Sequence, residues 1–193
     1  MNFSKVLAEL GGRFDAAGIR YALIGGFAMA LRGAPRATLA LDFLLMLDDL
    51  EKAHAIFGEL GYRREFHSAN VSHYAGSGPD WGRVDILHAF RGPSLGMLGR
   101  AERIRIDADL SLPVAQTEDI IGLKLQALKN DLSRAVGDWN DIVLLVAAAA
   151  RERRAFDWVL VEDYLRLFNL DDRLRHPDLH LKRRGGERNE KET

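Results

Sequence analysis

The sequence of 193 residues contains no cysteine. Disulfide bonds and thiolate metal sites are therefore excluded, and a reducing, cytoplasmic location is expected. An excess of one charge is also absent, because 27 lysines and arginines face 28 aspartates and glutamates. No overall basic field therefore indicates nucleic-acid binding. The longest apolar run, residues 142–150, is too short to cross a bilayer, and the first residues are not typical of a signal peptide.

Hydrophobic residues make up 47% of the chain, which is enough to bury a core. Up to residue 115 the hydrophobic pattern alternates between helical spacing and short apolar runs typical of strands. This pattern predicts helices at 3–17, 27–32 and 48–60, and strands at 20–24, 39–46, 62–67, 70–75 and 82–88. Residues 103–115 are expected to be irregular with short extended pieces.

From residue 117 the spacing is helical, and it predicts helices at 117–131, 138–153 and 157–168. We therefore predict an α+β fold, in which a mixed-sheet lobe over residues 1–115 precedes a helical lobe over residues 116–176. Residues 177–193 offer almost no apolar side chains to bury, and we expect a mobile tail there.

Two glycines, Gly25 and Gly26, lie between a predicted strand and a predicted helix. Glycines at such a turn let backbone N–H groups approach phosphate oxygens, and a helix N-terminus adds a favourable dipole. The same pattern also occurs in ordinary packing turns. The turn is therefore a candidate phosphate site.

Two aspartates, Asp42 and Asp85, lie within apolar strand sequences. Aspartate is disfavoured inside strands, and a carboxylate among apolar neighbours needs a cation, a metal ion or several hydrogen-bond donors. On neighbouring strands the two could hold a hard divalent cation through oxygen ligands. Alternatively, each lies at a strand end and meets water or an arginine.

Lys124 lies in the middle of the apolar arc of the predicted helix at 117–131. A lysine that points inward needs an anion. The sequence offers Asp119 or Asp141 as a structural partner, and the triphosphate of a bound nucleotide is the functional alternative. On the next helix, Asp138 and Asp141 are spaced so that their charges lie on the buried side, and Asp138 could also cap the helix start.

These three motifs, in this order, resemble those of nucleotidyltransferases in the AbiEii toxin-like group of the DNA polymerase beta-type superfamily. The stretch YALIGGFAMALRGAPRAT at residues 21–38, followed by the strand with Asp42, is similar to the first motif. Residues 117–127 resemble the lysine helix of the group, and DWNDI at residues 138–142 resembles its D-x-x-D-I segment. The resemblance covers residues 18–147.

The resemblance implies metal-dependent transfer of a nucleoside monophosphate from an NTP to an acceptor hydroxyl, in a cleft between the two lobes. In such enzymes three strand carboxylates hold two divalent ions, Mg²⁺ or Mn²⁺, which clamp the phosphates. The implied acceptor is tRNA, as in toxin members, and a cognate antitoxin is an implied partner. The implied site residues are Gly25, Gly26, Arg36 and Thr38 for the nucleotide, Asp42 and Asp85 for the metal, and Lys124 and Asp141 from the helical lobe.

One position departs from the family pattern. The first aspartate of the T-x-D-x-D motif is replaced by Ala40, in the run Thr38-Leu39-Ala40-Leu41-Asp42. Residues i and i+2 of a strand face the same side, so the methyl group of Ala40 lies where a metal-binding carboxylate is expected. We therefore predict transfer that is weakened or lost, by natural loss or by an inactivating substitution. The alternatives are a nucleotide- or partner-binding protein without activity, and an antibiotic-modifying small-molecule nucleotidyltransferase.

Overall fold

The computed structural model describes residues 1–170 and residue 172. These residues divide into two compact units, one formed by Met1–Leu31 with Arg36–Gln116 and the other by Arg32–Pro35 with the described residues from Thr117 onward. The tail predicted at residues 177–193 lies outside the described residues. No described helix combines the length and the apolar character that a membrane span needs.

The first unit is built on a mixed seven-stranded sheet with the strand order β3-β4-β5-β2-β1-β7-β6. Its strands are β1 (Tyr21–Ile24), β2 (Ala40–Met46), β3 (Tyr62–His67), β4 (Val71–Gly76), β5 (Arg83–Ala89), β6 (Glu102–Arg105) and β7 (Ser111–Val114). Its helices are α1 (Phe3–Ala16), α2 (Gly25–Leu31), α3 (Leu50–Glu59) and α4 (Gly92–Arg100), and a 3-10 turn at Leu47–Asp49 precedes α3.

Aromatic side chains form the centre of the core on one face of this sheet. The buried ring of Phe14 in α1 packs edge-on against Phe43 of β2 and Phe57 of α3, with centroid distances of 6.0 and 5.9 Å. Phe57 in turn stacks on Tyr74 of β4, at 4.0 Å. This packing holds α1 and α3 against one side of β2, so the alternate residues of β2 face the other side.

The second unit is helical. It contains α5 (Thr117–Asn130), a 3-10 turn at Leu132–Arg134, α6 (Ala135–Arg151) and α7 (Trp158–Leu167). The side chain of Asp157 caps α7 by accepting a hydrogen bond from the backbone N–H of Leu160, as its position in the sequence predicts. Arg151 donates to the carbonyl of Gly33 at 2.9 Å, which ties the short segment Arg32–Pro35 to this unit.

The predicted mixed sheet with flanking and C-terminal helices is confirmed, but three local predictions are wrong. Residues Gly92–Arg100 form α4, where no element is expected. Helix α6 begins at Ala135, so Asp138 lies inside its first turn and does not cap it. The strand β2, whose apolar run predicts burial on both faces, has Ala40 and Asp42 half-buried at its start.

Candidate functional site

The turn between β1 and α2 is closely packed because its two residues have no side chains. Gly25 has a φ of 66°, and a Cβ atom there would lie 2.7 Å from Cγ of Asp42. A Cβ atom on Gly26 would lie 2.9 Å from Cβ of Thr38 and 3.4 Å from Nε of Arg36. The glycines therefore let a carboxylate, a hydroxyl and a guanidinium approach one turn, which larger residues would prevent.

The two strand aspartates lie side by side. Strands β2 and β5 are parallel neighbours, and Asp42 is the register partner of Asp85. Neighbouring strands are about 4.8 Å apart, and register partners point to the same face of a sheet. Both residues are half-buried. The carboxylates are thus within the span of one oxygen-coordinated cation, although their role as metal ligands stays a prediction.

Asp85 already has two cationic or polar partners. Its Oδ1 accepts from Nδ1 of His73 at 2.7 Å and from Nε of Arg83 at 2.8 Å. His73 comes from β4, where it is the register partner of Asp85. The hydrogen bond to Asp85, and then the charge of Asp85, raise the pKa of Arg83, and the charge of Asp42 adds to the effect. The guanidinium therefore lies in the field of both carboxylates.

Ala40 begins β2 on the same face as Asp42, and its register partner is Arg83. Its carbonyl accepts a hydrogen bond from Oγ1 of Thr38 at 3.0 Å. A third carboxylate on this face would lie beside Arg83. Within residues 1–170 and residue 172, no three histidine, aspartate or glutamate side chains are grouped so that they could hold a metal ion. The residues present do not fit a two-ion site.

The other predicted site residues, Lys124 and Asp141, belong to the second unit. Nζ of Lys124 lies 2.9 Å from Oδ1 of Asp138 and 2.7 Å from Oδ2 of Asp141. The Lys124 side chain is 11% exposed, and both carboxylates are buried. Arg134 lies 3.3 Å from the second oxygen of Asp138. The structural alternative expected from the sequence, an aspartate partner for Lys124, is therefore present.

Asp119, the other expected partner of Lys124, has a different contact. Its Oδ1 accepts a hydrogen bond from the hydroxyl of Tyr164 at 2.7 Å, and both residues are buried. Glu118, beside it on α5, accepts from the backbone N–H of Asp157 at 2.7 Å. The acidic start of α5 therefore holds α7 in place within this unit.

For Asp85 the arginine partner that the sequence left open is present, but the sequence alone identified neither Arg83 nor His73. Arg83 could have been found, because it lies two residues before Asp85 on the same strand and must face the same side. His73 could not, because its place beside Asp85 depends on the register between β4 and β5. No periodicity in a single strand reveals that register.

No protein-family model matches the chain, and no curated protein matches it. Solved structures do match. The antibiotic-resistance factor ANT(2'')-Ia superposes with a TM-score of 0.64 at 14% identity, over 91% of this chain and 99% of that chain. An antigenic nucleotidyltransferase-like protein from Paracoccidioides brasiliensis gives 0.63 at 17% identity, over 95% and 93%. The lincomycin-bound lincosamide adenylyltransferase LnuA gives 0.53 at 17% identity, over 73% and 94%.

This chain has the nucleotidyltransferase fold. At these identities the likeness extends to the fold and not to an activity. The nucleotidyltransferase fold implied by the three sequence motifs is therefore confirmed. Membership of the AbiEii toxin-like group stays a prediction.

Proposed function

We propose that this protein binds a nucleoside triphosphate on its nucleotidyltransferase fold and that Ala40 prevents or strongly slows nucleotidyl transfer. One observation supports the second part most directly. Ala40 shares the face of β2 with Asp42, and Asp42 is in register with Asp85. Two carboxylates and one methyl group therefore stand where the family pattern has three carboxylates.

Nucleotide binding is supported by the chemistry around the glycine turn. The guanidinium of Arg36 and the side chain of Thr38 lie against Gly26. A cation, a hydroxyl and backbone N–H groups at one turn are the donors that phosphate oxygens require. The fold supports the same ligand, and an NTP ligand agrees with the cytoplasmic location expected from the lack of cysteine. Lys124 stays a predicted phosphate ligand, although its ammonium group already contacts two carboxylates.

The predicted Mg²⁺ or Mn²⁺ cofactor is not supported by the donor set of this chain. Asp42 and Asp85 are the only predicted metal-binding carboxylates, and Oδ1 of Asp85 already accepts two hydrogen bonds. We therefore expect metal-dependent transfer in a variant with a third carboxylate and not in the unaltered chain.

For the acceptor, a small hydroxyl compound is favoured by one observation. ANT(2'')-Ia, an antibiotic-resistance factor whose structure with adenylyl-2''-tobramycin is known, matches this chain almost end to end. Because the shared fold spans nearly the whole of ANT(2'')-Ia, it supports an aminoglycoside-like acceptor for this chain as well. The tRNA acceptor and the antitoxin partner rest on the AbiEii-like motifs alone, so tRNA is the second candidate.

The proposal is tested by returning the missing carboxylate with Ala40→Asp. Stabilisation by bound metal ions contributes several kcal/mol, and each step of about 1.4 kcal/mol changes a rate tenfold. We therefore expect transfer to rise at least about 100-fold in the background of Arg83→Gln, which removes the cation that lies beside position 40 and occupies Oδ1 of Asp85. The measurement is incorporation of labelled NMP from each of the four NTPs into an aminoglycoside panel and into total tRNA.

Leu39→Asp is the matched control, because Leu39 is 92% exposed and lies one residue away. It adds the same charge without adding a carboxylate to the face of Asp42 and Asp85. Equal gains from Leu39→Asp and Ala40→Asp would show a charge effect and contradict the role of Ala40. A folded Ala40→Asp variant that binds NTP but transfers to no acceptor would contradict the role of Ala40. Nucleotide binding alone would then be the proposed function.

A further inference from the structure

The position next to the missing carboxylate is occupied by a permanent cation. Ala40 and Arg83 are register partners on β2 and β5, and the next pair along this face is Asp42 with Asp85. Nε of Arg83 lies 2.8 Å from Oδ1 of Asp85. Four positions that form a square on one sheet face thus hold a methyl group, two carboxylates and a guanidinium.

A guanidinium in this place opposes a divalent ion in two ways. It uses Oδ1 of Asp85, which also accepts from His73, so this oxygen is a poor ligand for a further cation. It also repels a metal ion at short range, because an arginine stays protonated at every physiological pH. The same charge neutralises the carboxylate of Asp85, which lowers the repulsion of an anion at this face; Asp42 and Glu65 remain as negative charges near Arg83.

Arg83 has donors left for such an anion. Its hydrogen bond to Asp85 uses Nε, and no hydrogen bond from its two Nη groups to any described residue is seen. The side chain is 54% exposed, so the Nη groups are accessible to solvent. The planar fork of an arginine fits two phosphate oxygens at once, which a lysine cannot do.

We infer that Arg83 takes the place of the divalent cation, so that the phosphate groups of a nucleotide bind to this face without metal. Asp85, which is itself held by His73, keeps the guanidinium in position. Because position 40 carries no carboxylate, the side of the guanidinium that faces Ala40 is left for the ligand. This inference rests on the proposed nucleotide binding, but it concerns a separate question, which group neutralises the charge of the phosphates.

The test is calorimetric titration of the full chain with ATP and with inorganic tripolyphosphate, each in EDTA and in Mg²⁺. We expect both ligands to bind in EDTA at least as tightly as in Mg²⁺. Arg83→Gln should weaken binding by about 10- to 100-fold, as expected for loss of hydrogen bonds between charged groups. Arg83→Lys should retain part of the affinity, because it keeps the charge but loses the fork.

Arg63→Gln is the matched control. Arg63 lies on β3 of the same sheet, is 82% exposed and pairs with Glu65 at 2.9 Å. Its loss should leave both affinities unchanged, and a thermal melt of each variant verifies the fold. Equal weakening by Arg63→Gln and Arg83→Gln would show a general charge effect and overturn the inference.

The outcomes separate this inference from the proposed function. ATP binding that requires Mg²⁺, or that Arg83→Gln leaves intact, overturns the inference and keeps nucleotide binding. Tripolyphosphate binding that depends on Arg83, without binding of any NTP, supports the inference and overturns the proposed function. An unaltered chain that binds neither ligand in either buffer overturns both.

Discussion

Both units of this chain place two carboxylates beside a cation, but the two clusters differ in burial. In the second unit, Lys124 lies between Asp138 and Asp141, and all three side chains are at most 11% exposed. In the first unit, Arg83 contacts Asp85 beside Asp42, and the arginine side chain is 54% exposed. The same charges therefore lie in two very different environments.

This difference decides what each cluster can do. Buried charges lose their hydration, so each member of the Lys124 cluster depends on the others, and the cluster links α5 to α6. The half-exposed Arg83 keeps its contact with water and contributes little to folding. It can therefore exchange water for a ligand at low cost. We therefore expect the first cluster to bind a ligand and the second to stabilise the fold.

The largest effect is expected from Lys124→Met. This change leaves two buried carboxylates without their ammonium partner, which costs about 3–5 kcal/mol of unfolding free energy. For a chain of this size, about 1 kcal/mol shifts the melting temperature by roughly 2–4 °C. We expect a loss of roughly 6–20 °C, measured by thermal unfolding followed by circular dichroism.

Lys129→Met is the control for this experiment, because Lys129 is an exposed residue in the last turn of the same helix. It should change the melting temperature by no more than a few degrees. If Lys124→Met melts like the Lys129 variant but binds ATP more weakly, the buried cluster is a ligand site. The expected structural role of Lys124 would then be wrong.

The smallest effect is expected from Arg83→Gln on stability. The substitution removes an ion pair whose cation is half-exposed, and such pairs contribute about 0–1 kcal/mol. His73 remains as a hydrogen-bond partner for Asp85. Urea unfolding should therefore give nearly the same free energy as for the unaltered chain. A loss as large as that of Lys124→Met would make Arg83 a structural residue and remove the contrast between the clusters.

Much of the site could be predicted because unfavourable residues stand out in a strand. Asp42 and Asp85 interrupt apolar runs, and Ala40 is visible as a departure from a spaced pattern. The neighbours of Asp85 were harder to foresee, because His73 reaches it only through the register of β4 with β5. Capping by Asp138, one of the two roles that the sequence suggests, does not occur, because α6 begins three residues earlier, at Ala135.

The fold was predictable to the same degree, apart from α4. Its sequence, GPSLGMLGR, contains glycines and a proline that favour a turn over a helix. In the structure Pro93 lies in the first turn, where a missing N–H does no harm. The hydroxyl of Ser94 accepts from the backbone N–H of Arg91 at 3.2 Å, and Met97 is buried. Packing of Met97 thus outweighs the low helix propensity.

The effect of Ala40 on nucleotidyl transfer can be measured on the unaltered chain. Pyrophosphate release is measured with Mg²⁺ and each of the four NTPs, in the presence of aminoglycosides or total tRNA. With Ala40 at the head of β2 and Arg83 against Asp85, we predict release at the rate of a protein-free control. Rapid release dependent on Mg²⁺ would contradict this prediction, because the chain would then hold its metal ion without a carboxylate at position 40.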